Sequence, residues 1–263
     1  MESHLSQPET EARFAAREAD AADMRAIQEF LDEALVTEVL NVVKSGKEAT
    51  VYRCRAHRSL GMPFAAAKVY HSASHRSFQR SAVYEEGRQF GPGQVQRAIK
   101  NRSEFGREAQ LAFWVDHEFE VLSALHYAGA DVPAPFACTE KAILMELVGN
   151  EDGESPQLQH ADLQPEEAEK VLERVLWNIK LFLRENIVHG DLSAFNILYH
   201  EGELRIIDFP QAVDPRKNSS AKELLERDIA NVVQFFQRRR AGMEEEPERM
   251  ARNLWNLWKY GEL

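Results

Sequence analysis

The sequence has few cysteines, no long apolar run and no excess of positive charge, and each absence excludes a class of protein. The two cysteines, Cys54 and Cys138, lie in apolar, strand-like segments, which predicts reduced core thiols rather than disulfides or a metal cluster. No apolar run approaches the roughly 20 residues that a membrane span requires. The acidic N-terminal stretch does not have the apolar core of a signal peptide. We therefore expect a cytoplasmic protein that contacts no membrane, with an ordinary globular composition of 44% hydrophobic and 29% charged residues.

The net charge of −11 disfavours indiscriminate binding to nucleic acid, but the charge is unevenly distributed. Residues 71–107 contain seven Lys or Arg and three Glu. Such a basic segment can meet an anionic partner, or it can be a solvated loop, and the solvated loop is the favoured interpretation. The polar stretch from His71 to Asn101, with glycines at 87, 91 and 93, predicts one long loop.

Glycine is scarce in the stretch that could bind phosphate near the N-terminus. Two β-branched runs flank a small loop and predict a hairpin whose backbone N–H groups could lie over phosphates. The loop has one glycine and no Gly-x-Gly, and its Gly-Lys is not followed by Ser or Thr, so it is not a Walker loop. By itself it would be read as an ordinary hairpin. Its residues are Ser45, Gly46, Lys47 and Glu48.

Three polar residues, Asp191, Asn196 and Asp208, follow one another in an otherwise apolar stretch, residues 188–211. The residues between Asn196 and Asp208 read as two short strands joined by a turn at Glu201-Gly202. A hairpin of that length returns Asp208 to the loop that carries Asp191 and Asn196. Phosphoryl transfer from a nucleotide needs this set, a carboxylate to orient the acceptor and a carboxylate with an amide to hold magnesium.

The motif His189-Gly190-Asp191-Leu192-Ser193 with Asn196, followed by Ile207-Asp208-Phe209-Pro210-Gln211, resembles that of the RIO kinases, a group of atypical protein kinases. Ordinary protein kinases have Arg in place of Gly190 and Gly in place of Pro210. The resemblance extends from about Val42 to about Arg238. It implies that Asp191 orients the nucleophile, that Asn196 and Asp208 hold the metal, and that the cofactors are ATP and Mg²⁺, with Mn²⁺ as a substitute.

A lysine in an apolar segment, Lys68, is costly unless its ammonium is paired. The matching lysine of kinases contacts the α- and β-phosphates and pairs with a glutamate of the next helix. That helix is predicted from Glu104 to Ala128 and offers three glutamates. Trp114 followed by Glu118 resembles the RIO pattern, so Glu118 is the predicted partner among Glu108, Glu118 and Glu120.

The resemblance also assigns the rest of the nucleotide site. The hairpin loop from Ser45 to Glu48 is similar to the RIO phosphate-binding loop. Met145 would line the back of the adenine pocket, and the Glu146 carbonyl and the Val148 N–H would bind the base.

Two residues are predicted to support the catalytic loop, the loop that carries Asp191 and Asn196, rather than to react. His189, placed directly before the loop, is expected to be a structural histidine that anchors it. Asp228, in an amphipathic helix predicted from Ala221 to Arg238, is expected to brace the loop from below.

The predicted fold is α+β, a protein-kinase-like two-lobed fold that is truncated, without the activation segment and peptide-binding subdomains, because a helix follows Gln211 by about Ser220. Residues 1–40 are predicted to be an N-terminal helical extension. Residues 41–148 would form a small, mostly β lobe with one long helix and a flexible loop. Residues 149–263 would form a helical lobe with the catalytic and metal-binding loops.

The resemblance implies serine/threonine protein kinase activity on an unknown protein substrate, including autophosphorylation, for which Ser72, Ser74, Ser77 and Ser81 are candidates. It equally implies an ATPase switch with a transient aspartyl-phosphate at Asp208 during ribosome-subunit maturation. The basic segment 71–107 is then a predicted contact for a ribosomal particle or RNA.

Two alternatives stay open. A small-molecule kinase of the aminoglycoside or choline phosphotransferase type shares His-Gly-Asp, Asn and Ile-Asp, but the Phe209-Pro210-Gln211 run and the 45–49 loop argue against it. A nucleotide-binding scaffold with slow turnover is the other, although the complete set of ligands argues against a dead site.

Overall fold

The computed structural model describes residues 21–71, 83–84, 86, 93–101, 103–150, 153–238 and 246–263. The four serines predicted as phosphorylation sites and most of the predicted long loop lie outside these residues. Both cysteines are free thiols, as predicted, and burial raises the pKa of Cys54 to about 12. Among the described helices, none combines the length and the apolar character needed to span a membrane.

One antiparallel sheet forms the first half of the protein, with the strand order β1-β2-β3-β5-β4. Side chains alternate along a strand, so successive residues lie on opposite faces of the sheet. One face, with Tyr52 and Ala67, packs against α1, a helix that occupies residues 21–32. The opposite face carries Lys68. The strands are β1 (Val36–Ser45), β2 (Ala49–Ala56), β3 (Phe64–Tyr70), β4 (Pro135–Cys138) and β5 (Ala142–Glu146).

The predicted helical extension over residues 1–40 is wrong at its C-terminal end. Helix α1 ends at residue 32, Ala34 adopts a left-handed backbone with φ 54°, and β1 begins at Val36. The run that begins at Val36 is rich in β-branched residues, which favour a strand when a neighbouring strand is available. Helix α1 packs on the sheet, where the Tyr52 hydroxyl donates a 2.8 Å hydrogen bond to Asp23.

The predicted loop over residues 71–101 is also wrong in part, since α2 (Gly93–Lys100) is a helix. It packs against the start of α3 (Glu104–Tyr127), where a Cβ on Gly106 would lie 2.1 Å from the Ala98 carbonyl oxygen. Ser103 caps α3 by accepting a 3.1 Å hydrogen bond from Gly106 N. Helix α2 is therefore supported by a close contact with α3. The glycines at 87, 91 and 93 had instead suggested a loop.

A helical lobe follows the sheet, built around α4 (Pro165–Arg184), α5 (Ala221–Gln237) and α6 (Pro247–Lys259). Pro165 and two glutamates in the first turn suit the start of α4. The hairpin of β6 (Ile197–His200) and β7 (Glu203–Ile206) turns at Glu201 and Gly202, both with positive φ, as a tight two-residue turn requires. After Asp208 the chain reaches α5 directly, without a long activation segment.

Candidate active site

The two halves of the molecule meet at the ammonium of Lys68. This group donates to Glu118 Oε1 at 2.8 Å and Oε2 at 3.1 Å, and to Asp208 Oδ1 at 2.7 Å. The three side chains come from β3, α3 and the segment after β7. Phe209 N donates to Glu118 Oε1 at 3.0 Å, so the same carboxylate also holds the backbone beside Asp208.

Burial and ion pairing act against each other on these three groups. Burial alone would lower the pKa of Lys68, but the carboxylates of Asp208 and Glu118 outweigh it and raise that pKa. Burial would raise the pKa of Asp208, but the Lys68 ammonium outweighs it and lowers that pKa. Lys68 and Asp208 are therefore charged at neutral pH. For Glu118, burial is the larger effect and raises its pKa despite the neighbouring ammonium.

The structure selects one of the three glutamates that α3 offers to Lys68. Glu118 is only 2% exposed, whereas Glu108 and Glu120 lie on exposed faces of the helix. Glu108 forms a surface ion pair with Lys141 at 3.6 Å. The Lys68–Glu118 contact chosen from the sequence is thus the one present, while its role toward a nucleotide stays a proposal.

Side chains of α5 form hydrogen bonds with the backbone of the catalytic loop. Asp228 accepts from Gly190 N at 2.8 Å and from Leu192 N at 2.9 Å, which confirms the predicted brace, and Asn231 donates to Leu192 O at 3.1 Å. Gly190 has φ 82°, and a Cβ there would lie 2.6 Å from the Gln211 carbonyl oxygen. The loop therefore needs glycine at this position for its backbone conformation and for its close approach to residue 211.

His189 is buried beneath the loop and acts as a spacer between two backbone segments. Its Nε2 lies 3.2 Å from the Ile207 carbonyl oxygen, Asp191 N donates to its Nδ1 at 3.3 Å, and its ring packs on Phe209 with centroids 4.7 Å apart. Burial lowers the pKa of His189 to about 4, so the ring is neutral at pH 7. A neutral ring with the proton on Nε2 satisfies both contacts, which fits the predicted structural role.

Asp191, Asn196 and the segment that carries Asp208 lie next to one another, as the hairpin prediction requires. Asn196 Nδ2 donates to the Asp191 carbonyl oxygen at 2.9 Å, and Ile207 N donates to the Asn196 carbonyl oxygen at 2.9 Å. Asp208 has φ 76°, an unusual conformation for a residue with a side chain, of the kind found at functional sites. The Asp191 side chain is exposed, and burial of its surroundings raises its pKa, against the opposing effect of Arg227.

The oxygen donors of this site fit magnesium. Asn196 binds the loop through its amide nitrogen, which leaves its Oδ1 as the atom that could hold a metal. Within the part of the chain that the structure describes, no cluster of three or more His, Cys, Asp or Glu side chains could hold a metal. One carboxylate and one amide oxygen are nevertheless a suitable set for Mg²⁺, which keeps its other positions for phosphate oxygens and water.

The predicted phosphate loop lies at the end of the β1–β2 hairpin. Gly46 N donates to Ala49 O at 3.0 Å, and Glu48 O accepts from His71 N at 2.9 Å, so these backbone groups shape the turn itself. Val51 is directly opposite Lys68 in the β2–β3 register. The loop that contains Ser45 and Lys47 therefore lies a few residues before the position on β2 that is opposite Lys68.

The predicted adenine contacts lie along and after β5. Met145 falls on the same face of the sheet as Lys68, since Ile143, two residues earlier, pairs with Lys68. Glu146 is tied to Ala134 by its backbone N at 2.8 Å and by its side chain at 3.0 Å. The Val148 carbonyl accepts from Ser155 N at 2.8 Å. These contacts fix the segment from Glu146 to Val148 against Ala134 and Ser155.

Two residues that reach the catalytic loop were missed in the sequence analysis. Arg227 donates to the Gly190 carbonyl oxygen, and also to the Tyr84 hydroxyl at 3.1 Å. The position of Arg227, directly before the predicted brace Asp228, was the one available signal for it. Tyr84 lies in a polar, glycine-rich segment, and nothing in its local pattern predicted a contact with the loop.

Comparison with known proteins places these features in a family. The protein-family model of the RIO domain matches residues 50–249 of this sequence. The chain is 32% identical over 229 residues to "RIO-type serine/threonine-protein kinase Rio1" of Haloferax volcanii, covering 84% of this chain and 71% of that protein. The corresponding Rio1 of Thermoplasma acidophilum is 32% identical, over 72% of this chain and 92% of its own length.

Eukaryotic relatives are longer. "Serine/threonine-protein kinase rio1" of Schizosaccharomyces pombe is 28% identical over 81% of this chain, which spans only 41% of that protein. Among solved structures, the Rio2 kinase-ADP/Mg²⁺-phosphoaspartate complex from Chaetomium thermophilum matches with a TM-score of 0.64 and 21% identity. That match covers 87% of this chain and 65% of the other, and it supports the kinase-like fold.

Proposed function

This chain belongs to the RIO domain family, and from that premise we propose that it is an ATP-dependent RIO-type kinase that phosphorylates serine or threonine of a protein, its own chain included. The observation that carries the proposal is the ammonium of Lys68 held between Glu118 and Asp208, beside the loop with Asp191 and Asn196. Such chemistry consists mostly of positioning and charge stabilisation, and these five side chains supply both.

We propose the following roles for the residues of the site. Asp191 orients the acceptor hydroxyl and takes its proton as the oxygen bonds to the γ-phosphorus and the bond to the β-phosphate oxygen breaks, which releases ADP. Lys68 positions the α- and β-phosphates, and Glu118 fixes Lys68. Asn196 and Asp208 would hold Mg²⁺, or Mn²⁺ in its place, and the ion would neutralise phosphate charge when bound. The 45–48 loop covers the phosphates, and the segment from Met145 to Val148 binds adenine.

A second activity is proposed beside the first, an ATPase switch in which a carboxylate oxygen of Asp208 bonds to the γ-phosphorus of ATP and ADP leaves. Water then hydrolyses the aspartyl-phosphate to free phosphate and restores the carboxylate. The related Rio2 structure holds ADP, Mg²⁺ and a phosphoaspartate, which supports this proposal. The ionised state of Asp208, maintained by Lys68, also supports it, because a carboxylate must be charged to act as a nucleophile.

The proposed macromolecular partner is a ribosomal particle or RNA, bound through the basic residues 71–107. In support, Arg97 and Lys100 are exposed in the last turn of α2. Their charges suit an anionic partner. The cytoplasmic location stays a prediction from the sequence.

One labelling experiment separates the two activities. Purified protein is incubated with Mg²⁺ and γ-labelled ATP, and the bound label is tested for stability in acid and for release by hydroxylamine. Acid-stable label on serine or threonine that is lost in Asp191→Asn supports the protein kinase. Hydroxylamine-labile label indicates the aspartyl-phosphate switch. Neither label nor free phosphate in the wild type would overturn both.

A further inference from the structure

A short segment between β3 and α2 is docked on the helical lobe. We call residues 83, 84 and 86 the strap. Asn218 Nδ2 donates to the Val83 carbonyl oxygen at 2.5 Å. Glu86 accepts from Ser219 at 2.7 Å through the hydroxyl and at 3.2 Å through the backbone N. The strap is therefore hydrogen-bonded to the turn that precedes α5 in the helical lobe, although in the sequence it follows β3 of the sheet.

Tyr84 brings the strap to the catalytic loop. Its ring packs on the core of the helical lobe, and its Cε1 lies 3.4 Å from the place that a Cβ of Gly190 would occupy. Its hydroxyl accepts a 3.1 Å hydrogen bond from Arg227 Nη2. The same guanidinium donates to the Gly190 carbonyl oxygen. Arg227 thus bridges the strap and the residue directly before Asp191.

Arg227 differs from the other α5 side chains that hold this loop. Asp228 and Asn231 bind the loop backbone from within the helical lobe. Arg227, an exposed residue directly before Asp228, binds the loop and the strap together. Because an arginine side chain has many rotamers, a second fixed partner reduces the conformational freedom that it must lose to hold the Gly190 carbonyl.

The Gly190 carbonyl is a sensitive point for the reaction. It belongs to the peptide plane between Gly190 and Asp191, so its direction sets the starting direction of the Asp191 side chain. Asp228 fixes the N–H side of Gly190 at 2.8 Å, and Arg227 fixes the carbonyl side. A small rotation of this plane displaces the carboxylate from the acceptor hydroxyl, and errors of about 1 Å in such a position are costly.

We infer that Tyr84 and Arg227 are positioning residues, a bridge through which the strap holds the catalytic loop in the orientation that acceptor phosphorylation requires. The inference rests on the proposed function, since it assigns the bridge to the step that Asp191 carries out. It assigns no contact with ATP to either residue.

The test uses the full chain with Tyr84→Phe, which removes the hydroxyl and keeps the ring. Tyr127→Phe is the matched control, because Tyr127 is 95% exposed. Acid-stable transfer of label from γ-labelled ATP to serine or threonine, the step in which Asp191 acts, gives kcat and the KM for ATP. Tyr84→Phe is expected to lower kcat about fivefold, the loss of one hydrogen bond, with an unchanged KM for ATP. Equal kcat for Tyr84→Phe and Tyr127→Phe would overturn the inference.

A double-variant comparison tests whether the two residues act as one unit. Arg227→Met should lower kcat more than Tyr84→Phe does, because it leaves the Gly190 carbonyl without this donor. Adding Tyr84→Phe to Arg227→Met should then have little further effect. Independent, multiplicative losses would contradict a bridge.

Hydrogen–deuterium exchange gives a readout that does not depend on turnover. In Tyr84→Phe, amides of residues 189–193 should exchange faster, while those in the middle of α5 stay as in the wild type. Unchanged exchange in the loop would contradict the bridge even if kcat fell. A wild-type protein without any turnover overturns the proposed function and the catalytic assignment with it, whereas turnover that ignores Tyr84 overturns the inference alone.

Discussion

The buried Lys68 ammonium illustrates how single side chains create this site. A lone ammonium in the cleft would be strongly disfavoured, and two carboxylates from distant parts of the chain compensate it at 2.7 and 2.8 Å. Glu118 has a second function, because it also accepts from Phe209 N at 3.0 Å. The residue therefore orients both Lys68 and the segment that carries Asp208.

Glu118→Gln should lower kcat/KM for ATP about a hundredfold, because an amide cannot hold the ammonium as a carboxylate does. The measurement is steady-state ADP formation at several ATP concentrations. Glu108→Gln, an exposed glutamate on the same helix, is the control and should behave as the wild type. Similar kcat/KM values for the two variants would show that Glu118 is not part of the site.

His189 gives a prediction for pH dependence. Burial lowers its pKa to about 4 in the folded protein, against an ordinary value of 6.5, so between these values the unfolded chain binds more protons. The wild type should therefore lose stability as the pH falls from about 6.5 towards 4. Asp228, whose pKa burial raises to about 7, acts in the opposite direction over an overlapping range.

A comparison with His189→Asn isolates the histidine, because the contribution of Asp228 is common to both proteins. Urea unfolding at pH 7.5 and pH 4.5 measures the free energy of unfolding of each. We expect the wild type to lose its advantage over the variant at the lower pH. A difference that is the same at both pH values would show that His189 has an ordinary pKa.

At the level of elements, local patterns predicted some structures and missed others. The β6–β7 hairpin was predicted because apolar strands flank Glu201-Gly202, and the turn type follows from those two residues. Helix α2 was missed, because the glycines at 87, 91 and 93 suggested a loop and outweighed the helical spacing of Val95, Ala98 and Ile99 on its half-buried face. The end of α1 was misplaced because the residues before Val36 have no strong stop signal.

Gly106→Ala should separate α2 from α3. The new methyl group would meet the Ala98 backbone at 2.1 Å, so a helix must shift, at a cost of about 1–3 kcal/mol in the free energy of unfolding. Chemical denaturation measures the cost, and faster amide exchange in α2 would locate it. Gly93→Ala is the control, since a Cβ there meets nothing within 4 Å. Equal stability of the two variants would contradict the packing described for α2.

For the molecule as a whole, the sequence predicted the family, the kinase-like fold and the contact between Lys68 and Glu118. The family and the fold were predicted because Asp191, Asn196 and Asp208 stand in a fixed order that few other chemistries require. Glu118 was predicted because it follows Trp114 as in the RIO pattern. Arg227 and Tyr84 could not be predicted in the same way, since their contact joins segments more than a hundred residues apart. The RIO domain match also sets aside the small-molecule kinase alternative.

The central claim is that the two halves of the molecule form one magnesium-dependent phosphotransfer site that includes Asp208. Its most direct test is the total release and transfer of label from γ-labelled ATP by the wild type, Asp208→Asn and Asp162→Asn, each with Mg²⁺ and with excess EDTA. Asp162 is an exposed residue and serves as the control. We predict that label is transferred or released by the wild type and by Asp162→Asn with Mg²⁺, and not by Asp208→Asn or in EDTA. Equal turnover by Asp208→Asn and the wild type would contradict the account.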